Sequence, residues 1–95
     1  MNEPLLQRYR DDILRIAARH GARHVRVFGS RIHGAATSES DVDFLVEAGP
    51  DHSPFFPGGL AADLETLLGR HVDVVEPEGL HWYIRDRVLK EAVPL

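Results

Sequence analysis

Two aspartates, Asp41 and Asp43, are separated by one valine and lead directly into the apolar run Phe44-Leu45-Val46. Side chains alternate across a strand. A strand through this segment therefore sends both carboxylates to one face, with their Cα atoms about 6.5–7 Å apart, and Val42, Phe44 and Val46 to the other. The run from His71 to Val75 repeats the pattern, with Val72 and Val74 on one face and Asp73 on the other. If these strands are neighbours with aligned apolar faces, Asp41, Asp43 and Asp73 converge on one side of a sheet. Three close carboxylates raise one another's pKa unless a cation lies between them. Hard oxygen ligands suit Mg²⁺ or Mn²⁺, and Mg²⁺ is usually held by one or two carboxylates plus substrate phosphates. A metal pair about 3.5–4 Å apart can clamp the attacking and leaving oxygens of an in-line phosphoryl displacement. The aspartates thus read as a metal site.

Gly29 and Ser30 lie about ten residues ahead of this pair. A glycine there lets the backbone approach a phosphate closely. The N–H groups at the start of Ser30-Arg31-Ile32-His33-Gly34 can point at anionic oxygens. Ser30 adds a hydroxyl and Arg31 a charge. Taken singly, each feature has a plain structural reading: Asp-x-Asp as solvated strand residues, Gly-Ser as a turn, Asp73 as an exposed strand aspartate. Their order along the chain is what carries chemical meaning. The chain lacks the Gly-Lys-Ser/Thr of a P-loop and the Gly-x-Ser-x-Gly elbow of a hydrolase. Its six histidines (His20, His24, His33, His52, His71 and His81) show no zinc-like spacing. His33 reads as a surface residue in the motif loop, and His71 shares a strand face with Asp73.

The elements that must position these groups are legible from periodicity. Leu5, Leu6, Tyr9, Ile13, Ile16 and Ala17 form one face of an amphipathic helix over about residues 3–20. Asn2 can cap it, Pro4 suits its first turn, Gly21 can stop it, and Asp11 with Arg15 forms an i, i+4 pair. His24–Phe28 reads as a strand, residues 31–34 as one helical turn, residues 35–40 as a polar loop and Val42–Val46 as a second strand. Leu60, Leu64, Leu67 and Leu68 place a helix at about 58–68, stopped by Gly69. His71–Val75 is a third strand and residues 76–79 are a turn. Trp82, Ile84, Val88 and Leu89 suggest a helix over about 80–91, and residues 92–95 a short tail strand. Phe55 and Phe56 in a Pro/Gly-rich loop, and Trp82 and Tyr83 at the start of the last helix, are aromatics suited to a binding surface, while the plain reading places some of them, Trp82 first, in the core. The expected architecture is one α+β (α/β) domain spanning residues 1–95, a small mixed β-sheet with helices packed mainly on one face.

Composition agrees with a globular chain: 95 residues, 43% hydrophobic and 27% charged. No apolar run approaches the ~20 residues of a membrane span. The N-terminus has early charges and no apolar leader region, and there are no cysteines, which fits a cytoplasmic protein. The net charge of −4 is uneven: residues 1–40 carry seven basic against four acidic side chains, and residues 41–95 carry four against eleven. An acidic whole disfavours direct nucleic-acid binding, while the basic first half suits one phosphorylated ligand.

Gly29-Ser30, then Ser40-Asp41-Val42-Asp43 opening a strand, then Asp73 on a later strand resembles the nucleotidyltransferase superfamily that includes DNA polymerase beta. The spacing from Gly29 to Asp43 resembles in particular the minimal nucleotidyltransferases, antitoxin partners of HEPN-domain toxins. The resemblance extends to the N-terminal helix, to residues 67–77 and to the ending from Val88 to Leu95. It implies that Gly29 and Ser30 contact a nucleoside triphosphate, with Arg31 and Ser40 beside them. It also implies that Asp41, Asp43 and Asp73 bind Mg²⁺ and that Asp73 deprotonates the acceptor. The implied reaction is transfer of AMP from ATP to a tyrosine of the cognate toxin, a ribonuclease, which is thereby silenced. The implied partners are that toxin and ATP, in a hetero-oligomer or with self-association. Two alternatives stay open: an antitoxin acting by contact alone, and a transferase acting on a small molecule or an RNA end.

Overall fold

The computed structural model describes residues 3–34 and 40–95. The chain runs α1 (Pro4–Arg19), β1 (Ala22–Phe28), a 3₁₀ turn (Gly29–Arg31), β2 (Val42–Ala48), α2 (Gly58–Leu68), β3 (Val72–Val75), a second 3₁₀ turn (Pro77–Gly79), α3 (Trp82–Glu91) and β4 (Val93–Pro94). The four strands form one sheet in the order β3-β2-β1-β4. β1 is antiparallel to both β2 and β4, and β2 is parallel to β3. The sheet is therefore mixed, with α2 as the crossover that a parallel pair requires.

Each expected helix and strand is present, with ends displaced by a residue or two, and the helical turn expected over residues 31–34 lies instead at Gly29–Arg31. The expected Asn2 cap lies outside the described residues. Glu3 caps α1, its carboxylate accepting the Leu6 N–H at 2.7 Å. The Asp11–Arg15 pair does not form. Arg15 instead meets Asp12 at 2.9 Å, one i, i+3 step away on the same helix face. Past α1, Gly21 takes φ +80, and a Cβ there would lie 2.6 Å from the His52 Cα, so a side chain meets both strain and a clash. The polar loop expected over residues 35–40 lies outside the described residues except for Ser40.

The main core lies between one sheet face and two helices. Val27, Val42, Phe44, Val46, Val72 and Val74 meet Leu6, Ile13 and Ala17 of α1 and Leu60, Leu64 and Leu68 of α2. Phe44 is fully buried at the centre of β2. The other face is not left bare. Leu45 is also fully buried, in a smaller cluster with Leu80 and Val88 that places α3 on the side of the aspartates. Two helices thus cover one face, and the third covers part of the other. The tail strand is real: Val93 and Pro94 pair with Val27 and Arg26 at the sheet edge, where the missing proline N–H costs little. Among the described residues no helix is long and apolar enough to cross a membrane.

Phe44→Ala removes the largest fully buried side chain from the point where α1, α2 and the sheet meet. We expect a loss of about 3–5 kcal/mol of stability, read from urea unfolding.

Candidate active site

The strand register brings the carboxylates together. In the parallel β2–β3 ladder Asp43 pairs with Asp73, and in the antiparallel β1–β2 ladder Phe28 pairs with Asp43. The apolar alternation forces this choice. Val42 and Phe44 must face the core, so Asp41 and Asp43 face away, and Val72 and Val74 impose the same on Asp73. Gly29 follows Phe28 at φ +81, and a Cβ there would run into the Asp43 carboxylate. Gly29 is therefore required twice over, by its backbone angle and by the side chain lying against it. The Gly-Ser and Asp-x-Asp segments interlock at this point.

Asp43 is half-buried, whereas Asp41 and Asp73 are exposed. Burial pushes the Asp43 carboxyl above its usual value. The charge and hydrogen bond of Asp73, and then the charge of Asp41, push it the same way, while His71 opposes them. His71 stands between the other two acids, Nδ1 3.6 Å from Asp41 and Nε2 3.8 Å from Asp73. Glu65 of α2 is 3.9 Å from the same ring, and its carboxylate also accepts the Val72 N–H at 3.1 Å. Asp41, His71 and Asp73 each offer a ligand atom within 4.8 Å of the others. An octahedral ion with bonds near 2.1 Å spaces its ligand atoms about 3.0–4.2 Å apart, so this donor set, which does not include Asp43, suits a divalent cation by its chemistry and would have to draw together around it. Periodicity placed His71 on this face. Nothing in the local sequence marked Glu65, which arrives from a helix.

Arg31 departs from expectation. Its Nη1 donates to Glu3 Oε1 and its Nη2 to the Ser40 carbonyl, each at 2.6 Å, and its side chain is only 3% exposed. A guanidinium committed in this way offers no free charge to a ligand. It braces the segment ahead of Asp41 against the first turn of α1. Ser40 contributes its carbonyl to that brace, and Ser30 lies half-buried in the 3₁₀ turn. His33 is exposed, as expected, and meets Glu91 of α3 at 3.0 Å.

Trp82 is not a core residue. It is 76% exposed, beside Tyr83 at 77%, because α3 turns Ile84 and Val88 inward and leaves its first residues outside. Phe55 is 85% exposed, while its neighbour Phe56 packs against the main core.

A strand-borne carboxylate cluster locked against a Gly-Ser turn is the arrangement of a nucleotidyl-transferring site. The profile of the Nucleotidyltransferase domain family matches residues 10–95, and the chain belongs to that family. It is 43% identical over 77 residues to "Protein adenylyltransferase MntA" of Thermococcus cleftensis, covering 79% of this chain and 76% of that protein. A solved structure described as a "putative minimal nucleotidyltransferase" is 42% identical and superposes with a TM-score of 0.83 over 100% of this chain and 97% of the other. The fold also matches a toxin–antitoxin crystal structure with AMP-PNP, at 21% identity and a TM-score of 0.71, covering 99% and 72% of the two chains.

Two outcomes test this geometry. Because the folded-state pKa of Asp43 is raised above 3.8, the folded protein keeps a proton that the unfolded chain has released. Metal-free stability therefore falls as pH rises from 3.8 through the raised value. Asp43→Asn should then melt higher than wild type at neutral pH without metal, the gap closing in acid, and should gain less from added divalent cation. Arg31→Ala should cost about 3–5 kcal/mol in urea unfolding, as breaking a buried ion pair does. A ligand-contacting arginine would weaken nucleotide binding and leave stability intact.

Proposed function

We propose that this protein is an antitoxin-type adenylyltransferase. It moves AMP from ATP to a tyrosine hydroxyl of a cognate HEPN ribonuclease toxin and so neutralises it. The observation that carries this reading is the pairing of Asp43 with Asp73 across parallel strands, with Gly29 pressed against Asp43. The similarity to an MntA protein adenylyltransferase and the fold shared with a toxin–antitoxin complex support the acceptor class.

In this reading Gly29, Ser30 and Ser40 hold the triphosphate. Asp41, Asp43 and Asp73 hold Mg²⁺, which when bound neutralises charge on the phosphates and on the carboxylates that crowd one another without it. Asp73, exposed at the edge strand of the sheet, takes the proton of the acceptor hydroxyl. The hydroxyl oxygen forms a bond to the α-phosphorus as the bond to the β-phosphate oxygen breaks, and pyrophosphate leaves. Asp43 is half-buried and locked by Gly29, so it orients without reorganising. The described residues are occupied by the sheet, its helices and this site, so the acceptor is presented by the partner. Trp82 and Tyr83, exposed and edge to face at the start of α3, form an aromatic pair on which a partner would rest, and exposed Phe55 ahead of α2 is a separate candidate.

Intact-mass spectrometry of the toxin after incubation with this protein, ATP and Mg²⁺ tests the proposal. We expect a gain of whole AMP units, reduced by more than ~100-fold in rate for Asp43→Asn, because even outer-sphere partners of metal ligands are worth 10–100-fold. A stable complex with no mass gain, in which Asp43→Asn still neutralises the toxin, would instead establish neutralisation by contact.

A further inference from the structure

The family reading assigns the three aspartates but gives no role to His71, which immediately precedes β3. The sheet sets its place. The His71 carbonyl accepts the Val42 N–H at 3.1 Å, so its backbone is joined to β2 one residue past Asp41. Asp73 stands two positions further along, on the same face by the period of the strand. The ring is thus carried on the ladder rather than on a loop, and it remains exposed.

Its surroundings set it apart from the other histidines. His20 and His33 each meet one carboxylate, at 2.7 and 3.0 Å, and each pair is closed as a hydrogen bond. His71 has three carboxylates within 4.0 Å: Asp41 at 3.6 Å, Asp73 at 3.8 Å and Glu65 at 3.9 Å. All three distances are too long for a hydrogen bond. The ring and the acids therefore face one another without pairing off. Asp41, His71 and Asp73 each turn a ligand atom to within 4.8 Å of the other two.

Resting on the nucleotidyltransferase reading, we propose that His71 is itself a ligand of the divalent cation, beside Asp41 and Asp73, and makes this site favour Mn²⁺ over Mg²⁺. A neutral imidazole is a borderline donor that suits first-row transition ions. Mg²⁺ takes oxygen ligands, demands a near-ideal octahedron and gives up its water reluctantly. One nitrogen added to the carboxylate oxygens therefore helps Mn²⁺ and does little for Mg²⁺, which still binds through the acids alone. Metal-bound imidazoles generally give their second ring nitrogen to a carboxylate or another acceptor. Glu65 suits that part. Its Oε2, 3.9 Å from the ring, is already fixed by the Val72 N–H at 3.1 Å.

The test is electron paramagnetic resonance of Mn²⁺ added to the full chain, with metal-free thermal melts as a fold control. Loss of the free-ion signal gives the Mn²⁺ affinity, displacement by Mg²⁺ gives the preference, and pulsed measurement detects a coordinated imidazole nitrogen. The wild type should show that nitrogen coupling and hold Mn²⁺ against Mg²⁺. His71→Ala should lose the coupling and weaken Mn²⁺ by about 10-fold or more, the low end of what even outer-sphere partners of a metal site are worth, with Mg²⁺ little changed. His71→Asn, which offers an amide oxygen instead, should bind without the coupling and with its preference moved toward Mg²⁺. Mn²⁺ bound to the wild type without nitrogen coupling, or an unchanged preference in His71→Ala, overturns the assignment and leaves the enzyme reading in place. A wild type that binds neither ion, alone or with an ATP carrying a methylene in its α,β-bridge, overturns both.

Discussion

Asp43 and Asp73 face each other on adjacent parallel strands, and like charges at that spacing repel. The fold holds them there by means that have little to do with charge. Val42, Phe44, Val72 and Val74 must reach the core beneath α1 and α2, and the period of a strand then leaves the acids no other direction. Turning Asp43 away would expose Phe44, and the free energy of that burial far exceeds the repulsion of two partly solvated carboxylates. Apolar packing thus holds an electrostatic tension that a bound cation would relieve. The carboxylate cluster is a locally unfavourable arrangement kept in place by a favourable core.

The same logic explains the brace at Arg31. The segment ahead of Asp41 follows a stretch of small and polar residues in the sequence, Ala35 to Glu39. Glu3 uses one carboxylate oxygen to cap α1 and the other to hold Arg31, which in turn grips the Ser40 carbonyl. A buried ion pair adds little net stability, because desolvation offsets much of its attraction. What it supplies is direction. It links the start of the first helix to the residue before the first aspartate, so that Asp41 begins from a defined point.

Much of this was legible because periodicity is local. The strands, the helices, the glycine stops, the shared face of the three aspartates and even the short tail strand follow from residues within a few positions of one another. Ladder register added that Asp43 and Asp73 are direct neighbours. Three features were not legible, each for a reason of range. The destination of Arg31 depends on Glu3, 28 residues earlier. Glu65 reaches the site from a helix whose sequence shows only its buried leucines. Trp82 reads as core by its type, but its position in the first turn of α3 puts it outside the strip formed by Ile84 and Val88.

Leu45 shows how far a two-faced reading of a strand carries. Alternation assigned Val42, Phe44 and Val46 to the core and left the opposite face to the acids. Yet Leu45 lies on that opposite face and is fully buried. An apolar residue two positions after Asp43 demands cover, and α3 supplies it through Val88 and Leu80. The sheet face is therefore divided along its strands: carboxylates at one end, a small apolar cluster at the other, and a cleft where α3 stops short of the Gly-Ser turn. A fully polar face would have left the site flat and open. A fully covered one would have closed it. Leu45, with Phe28 and Val75 packed beside it, brings one helix over part of the face and leaves Asp41 and Asp73 exposed.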